Sequence, residues 1–286
     1  MSTGQNIRAL LRAFDELEFG KNTIMIPKSF DNDMRRKLLS ALASDLLSKE
    51  DLHIMGSRFK TEPSSGQSQF ALQRSLYQQC FQDANDFMQN TKSQFSHNVE
   101  IPPTYGQFGA SLALERLETT FLSAHICFQL GNSFEGYTLS RTILEQIAWA
   151  YTAAKSDDED FVEKLQSTKS ISELKKEFPK AGKLYGILSN LVHVGYNSHQ
   201  YIITTHESGE YDVNLNYFDF LDFSLLILEL ADMFSIVWEL SFYEHQAQLN
   251  SISSENKSLC EERKLQSIAD KISAQFEAIQ TVVTDS

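Results

Sequence analysis

Proline and glycine are scarce here: five Pro and twelve Gly in 286 residues. That shortage of turn-formers excludes a fold of many short strands joined by tight turns and favours long helices. Cysteine is scarcer still. Cys80, Cys127 and Cys260 are odd in number, far apart and outside any Cys-X-X-Cys, which removes a disulfide framework and leaves reduced thiols in a cytoplasmic protein as the expectation. Long hydrophobic runs are missing too. The greasiest stretch, FSLLILELADMFSIVWEL, is interrupted by Glu229, Asp232 and Glu239, so no membrane span is expected. The first twenty residues carry charges throughout and no apolar h-region, unlike a secretory signal.

Basic charge is also short. Lys and Arg total 25 against 38 Asp and Glu, a net charge of −13. No Lys or Arg occurs from Leu184 through Asn256, a segment that carries ten acidic residues. Phosphate backbones are bound by clustered cations, so a broad DNA-binding surface is excluded, while RNA held in a small pocket stays open. No dinucleotide or P-loop glycine motif, no His-Glu-X-X-His and no nucleophile elbow is present. His193, His199 and His206 stand six and seven residues apart, which is not metal-ligand spacing. Neither a cofactor nor a metal is expected.

What the chain does have is helical periodicity. Ile7, Leu10, Leu11, Phe14 and Leu17 fall on one face at helical spacing, and a second helix is expected over 31–49. A long polar helix is predicted near 68–95, followed by HNVEIPPTYG (97–106), the clearest punctuation in the chain. A boundary there gives an N-terminal helical region, 1–100, and a helical bundle domain, 101–286. In the second part helices are predicted near 107–130, 134–154, 183–193, 215–248 and 260–283, with short surface helices between 155 and 178. QYIITTHESGEYDVNL reads as two β-rich runs around a turn. The fold class expected is therefore mainly α, an antiparallel helical bundle with one small β-hairpin near 200–215. The 215–248 helix is apolar nearly all round, which suits a central helix or one shared with a partner.

Two stretches carry polar groups beside apolar faces. In SRTILEQIAWAY, Arg141 and Glu145 are four residues apart with apolar residues on both sides, and a half-buried charge needs a partner. In KLYGILSNLVHVGYNSH, Tyr185, Ser189 and His193 form a ladder at i, i+4, i+8, with Asn190 beside it and His199 just beyond. Antiparallel packing of these two helices would gather Arg141, Glu145, Tyr185, Ser189, Asn190 and His193 into one polar cluster. A clasp in the core and a working pocket both fit these residues.

The pairing of SRTILEQIAWAY with YGILSNLVHVG some forty residues later resembles the helical HEPN-type superfamily over about residues 107–250. The resemblance implies an antiparallel helical bundle, often a homodimer, and bacterial or phage-associated relatives acting in defence or as toxins, many by cleaving RNA. It implies a metal-independent endoribonuclease site in which Arg141, Glu145, Asn190 and His193 are catalytic, supported by Tyr185, Ser189 and His199. One position departs from the family pattern: Leu188 stands where an arginine is expected. The alternative is a non-catalytic helical protein–protein interaction module whose polar cluster is structural, in a homodimer or a tight complex with another protein.

Overall fold

A computed structural model describes residues 14–19, 22–27, 69–96, 101–193, 203–205, 211–213 and 218–284. The chain divides into two units, Met1–Gly66 and Gln67–Ser286. In the first, the end of the expected opening helix, Phe14–Phe19, is a strand, while Ile7, Leu10 and Leu11 lie outside the described residues. β1 (Phe14–Phe19) pairs antiparallel with β2 (Asn22–Pro27), in a register from Phe14 opposite Pro27 to Phe19 opposite Asn22. Thr23, Ile24 and Ile26 favour extended backbone, and only two residues, Gly20 and Lys21, separate the strands. Those local preferences outweigh the helical spacing of Phe14 and Leu17. The helix expected over 31–49 lies outside the described residues.

The second unit is mainly α, with eight α-helices among the described residues. They are α1 (Gln69–Ser93), α2 (Tyr105–Gln129), α3 (Ser133–Ala153), α4 (Glu159–Lys164), α5 (Ser167–Glu177), α6 (Pro179–Val192), α7 (Phe220–Ser241) and α8 (Lys264–Thr284). Between α6 and α7, β3 (Ile203–Thr205) pairs antiparallel with β4 (Tyr211–Val213).

The chain does not divide at 97–106, because α1 belongs to the second unit. Its Tyr77, Cys80, Ala84, Phe87 and Met88 are buried in the same core as α7. Beyond α1, the Ser96 N–H donates to His245 O (2.6 Å) and the Ala247 N–H to Gln94 O (2.8 Å), which ties its end to the chain leaving α7.

α7 is the hub. Seventeen of its residues are buried, among them Phe223, Ile227, Leu230, Phe234 and Val237. The apolar circumference is thus covered within its own unit by α1, α2, α3 and α8. α7 is the central helix, and the expectation that it is shared with a partner is corrected. An aromatic knot fixes one end of the packing: Phe128 stacks on Phe223 (centroids 4.2 Å), and Tyr77 meets Phe220 at 5.7 Å.

α2 and α3 form a helical hairpin. Thr104 and Gln107 close a capping box at the start of α2. At its end the Gly131 N–H bonds to Phe128 O and the Asn132 N–H to Cys127 O, the pattern of a Schellman turn. Gly131 has φ +76°, and a Cβ there would strike the Phe218 ring 2.6 Å away, so glycine is required twice over.

Candidate functional site

α6 begins with Pro179 in its first turn, where the missing N–H costs nothing. It runs antiparallel to α3: Arg141 meets Tyr185, and ten residues on in α3, Tyr151 meets Phe178 (6.0 Å), the residue that precedes α6. The arrangement expected from the two polar stretches therefore exists in part. Arg141 Nε donates to Glu145 Oε1 (3.0 Å), and its Nη2 donates to Tyr185 Oη (3.0 Å). The guanidinium carbon is 5.1 Å from the centroid of the Tyr185 ring. The side chains of Arg141 and Glu145 are 24% and 22% exposed, so the pair is half-buried with one side open to water. Burial disfavours the charged guanidinium, but Tyr185 and Glu145 more than offset this and hold its pKa above the ordinary value.

The rest of the predicted cluster is spread along α6. Ser189 is half-buried, and its Oγ has no partner among the described residues. Asn190 is exposed. His193 is the C-cap of α6, exposed, with its backbone N–H donating to Ser189 O (3.0 Å). At 1.5 Å per residue, eight residues place His193 about 12 Å along the axis from Tyr185. His199 lies outside the described residues. Leu188, standing where the resemblance expects an arginine, is buried in the core.

The chemistry of this group follows from its bonds. Arg141 is neutralised by Glu145 and oriented by Tyr185, so a phosphate would compete with a carboxylate already in place. A general acid/base must reach the proton it moves within about 3 Å. The described geometry is a helix-to-helix clasp with a histidine two turns away.

Sequence reading missed two further features. The first is how the acids of α7 are satisfied. Asp232 accepts from Arg263 Nε through both carboxylate oxygens (2.9 and 3.2 Å). Glu239, wholly buried, accepts from the backbone N–H groups of Asn250 (2.8 Å), Ser251 (2.9 Å) and Ile252 (3.0 Å). Burial pushes both carboxyls above their ordinary pKa, against the pull of Arg263 on one and of three N–H donors on the other. Acids inside an apolar run signal such partners, but a backbone N–H leaves no trace in the sequence.

The second is an open groove of about 600 Å³ between the ends of α1, α2 and α7, with Phe95, Phe108, Trp238 and Phe242 among its walls. Lys92 at its rim pairs with Glu115 (2.6 Å) and Glu118. Among the described residues no group of three or more His, Cys, Asp or Glu could hold a metal ion. No helix among them is long and apolar enough to cross a membrane.

No protein-family model matches the chain, and neither a curated protein nor a solved structure does. The likeness to the HEPN-type superfamily rests on the residues of α3 and α6 alone.

Proposed function

We propose that this chain is a helical interaction protein that works through an exposed apolar face of α2, and that the α3–α6 cluster is a structural clasp. One observation carries this reading. Of fourteen exposed large apolar side chains among the described residues, six (Tyr105, Phe108, Leu112, Leu122, Ile126 and Leu130) belong to α2 and its C-cap. Exposed apolar residues scattered singly need no explanation, whereas six along one helix point to a contact surface. The polar cluster supports the same conclusion, because Arg141, Glu145 and Tyr185 bond to one another.

A second reading has its own observation: His193 is exposed at the end of α6, with exposed Lys175, Lys176, Lys180 and Lys183 on the preceding segment. In that reading the protein is a HEPN-like effector of a defence or toxin system. His193 would act as general acid/base on RNA, and Arg141 would steady the phosphate during attack by the neighbouring 2′-hydroxyl.

Incubating the purified chain and its His193→Ala variant with total RNA separates the two. The interaction reading expects intact RNA from both proteins. RNA degraded by the parent chain and spared by the variant would overturn it.

A further inference from the structure

We infer that the groove between the ends of α1, α2 and α7 binds a small organic cation, an alkylated ammonium with no anionic group of its own. The groove is separate from the surface of the interaction reading and shares only Phe108 with it. Its aromatic walls and the sign of the charge at its rim both point to a cation.

Phe95, Phe108, Trp238 and Phe242 line the groove, and three of these rings stand in different planes. Phe95 meets Phe242 edge-on at 84°, with centroids 5.8 Å apart. Trp238 lies at 55° to Phe242, with centroids 4.8 Å apart. Rings set at such angles make the sides of a cage rather than a flat stack. The face of an aromatic ring is electronegative, and a cation within about 6 Å of its centroid is attracted to it. Phe95 and Phe108 are 41% and 58% exposed, so two of the four rings are open to an incoming molecule.

The rim decides the sign. Lys92 is the only cation among the lining residues, and its side chain is 13% exposed. It is already committed to Glu115 (2.6 Å) and Glu118. Burial disfavours its charge, but the bonds to these two carboxylates more than offset this and hold its pKa above the ordinary value. Two carboxylates against one ammonium leave one negative charge in excess at the rim. Glu115 is half exposed and makes no second hydrogen bond among the described residues, so it can still accept from or face a ligand.

Other occupants use less of this arrangement. A carboxylate or phosphate would be repelled by the excess charge, and a neutral apolar molecule would leave it uncompensated. A metal ion seeks a shell of oxygens and has no use for four rings. A phosphocholine headgroup would carry its phosphate to the same two carboxylates, so the cation is a free one. The volume of about 600 Å³ is that of a small-molecule site.

The test uses the full chain and three probes of one shape: choline, its neutral counterpart tert-butylethanol, and the carboxylate of tert-butylacetic acid. By titration calorimetry choline should bind with a Kd of about 1 mM, the alcohol about tenfold more weakly and the carboxylate not measurably. Phe95→Ala should weaken choline about tenfold, with helical circular dichroism intact. Glu115→Gln removes the excess charge and should weaken choline by a similar factor. Lys92→Met doubles that charge and should tighten choline, whereas damage to the fold would weaken it. Equal binding of the neutral alcohol, preference for the carboxylate, or absence of choline binding overturns the inference. So does choline binding that none of the three substitutions alters. Pelleting of the chain with phosphatidylcholine vesicles would overturn the choice of a free cation over a headgroup.

Discussion

Among the described residues, charged side chains enter the apolar faces of α7 and of α3, and the two places are built differently. On α7, Asp232 and Glu239 are buried, and their partners come from Arg263 and from the backbone at 250–252. On α3, Arg141 and Glu145 are neighbours one turn apart on a surface that water still reaches. The α7 acids hold a distant stretch of chain: removing Glu239 leaves three N–H groups without their acceptor, and removing Asp232 leaves Arg263 with only Cys260 O (3.2 Å). The α3 pair holds one helix against the next, and solvent can replace what is lost. Where the partner comes from and how much water remains decide whether a charge is a keystone or a clasp.

The sharpest way to break this comparison is Glu239→Ala. It leaves three N–H groups without an acceptor, each costing about 1–3 kcal/mol, so a total loss of about 4 kcal/mol is expected after relaxation. Urea unfolding should show the midpoint falling while the slope is unchanged, and a loss below about 1 kcal/mol would show that water replaces the carboxylate. Next comes Asp232→Ala, which strands a guanidinium whose side chain is only 14% exposed. A cost of about 3 kcal/mol is expected, with Arg263→Ala similar and the double variant well below the sum.

His125 sharpens the comparison, because its charge comes and goes. Its ring stacks on Phe81 (centroids 3.8 Å), and its Nδ1 lies 3.1 Å from Tyr77 Oη. Burial, helped by nearby Arg74, pushes its pKa down from 6.5 to about 4. Between those values the unfolded chain takes up a proton that the folded chain refuses, so stability falls as pH drops from 6.5 towards 4. From pH 7 to pH 5 this one group should cost about 2 kcal/mol. The raised carboxyls of α7 act in the opposite sense, but they are common to both proteins when wild type is compared with His125→Gln. The variant should lose that much less on acidification. Equal losses would mean that the ring titrates normally.

The smallest effect belongs to the clasp. Arg141→Ala and Glu145→Ala should each cost about 1 kcal/mol, between the values for exposed and buried pairs, with a coupling of about 0.5 kcal/mol in the double variant. Losses as large as those on α7 would erase the distinction between the two regions.

The helices of the second unit were readable because each carries its own periodic apolar face. α1, α2 and α3 begin and end within about two residues of expectation. The long helix near 215–248 was legible as a helix, yet it stops at Ser241, where the chain turns back to place Asn250, Ser251 and Ile252 on Glu239. That turn depends on tertiary contacts, and no local residue announces it. β1 was misread because the i, i+3 spacing of Phe14 and Leu17 suits a helix, and β2 drew no expectation. Of the candidate site, the Arg141–Glu145–Tyr185 contact followed from spacing and the need to pair half-buried charge. The placement of Asn190 and His193 did not, because a ladder on a helical wheel says nothing of distance along the axis.

The Glu239 bonds also set which substitutions the chain tolerates. The carboxylate recognises main-chain N–H groups, so the side chains at 250–252 are not what it reads. Half-buried Asn250 can therefore drift to almost any residue, and Ser251 and Ile252 to others that fit their buried space. Proline, which has no N–H to give, is the replacement forbidden at all three. Glu239 has no such freedom: aspartate is a methylene too short and glutamine brings a donor to face donors. Among relatives of this chain the signature of the loop would thus be one fixed glutamate eleven or more residues before a variable, proline-free stretch.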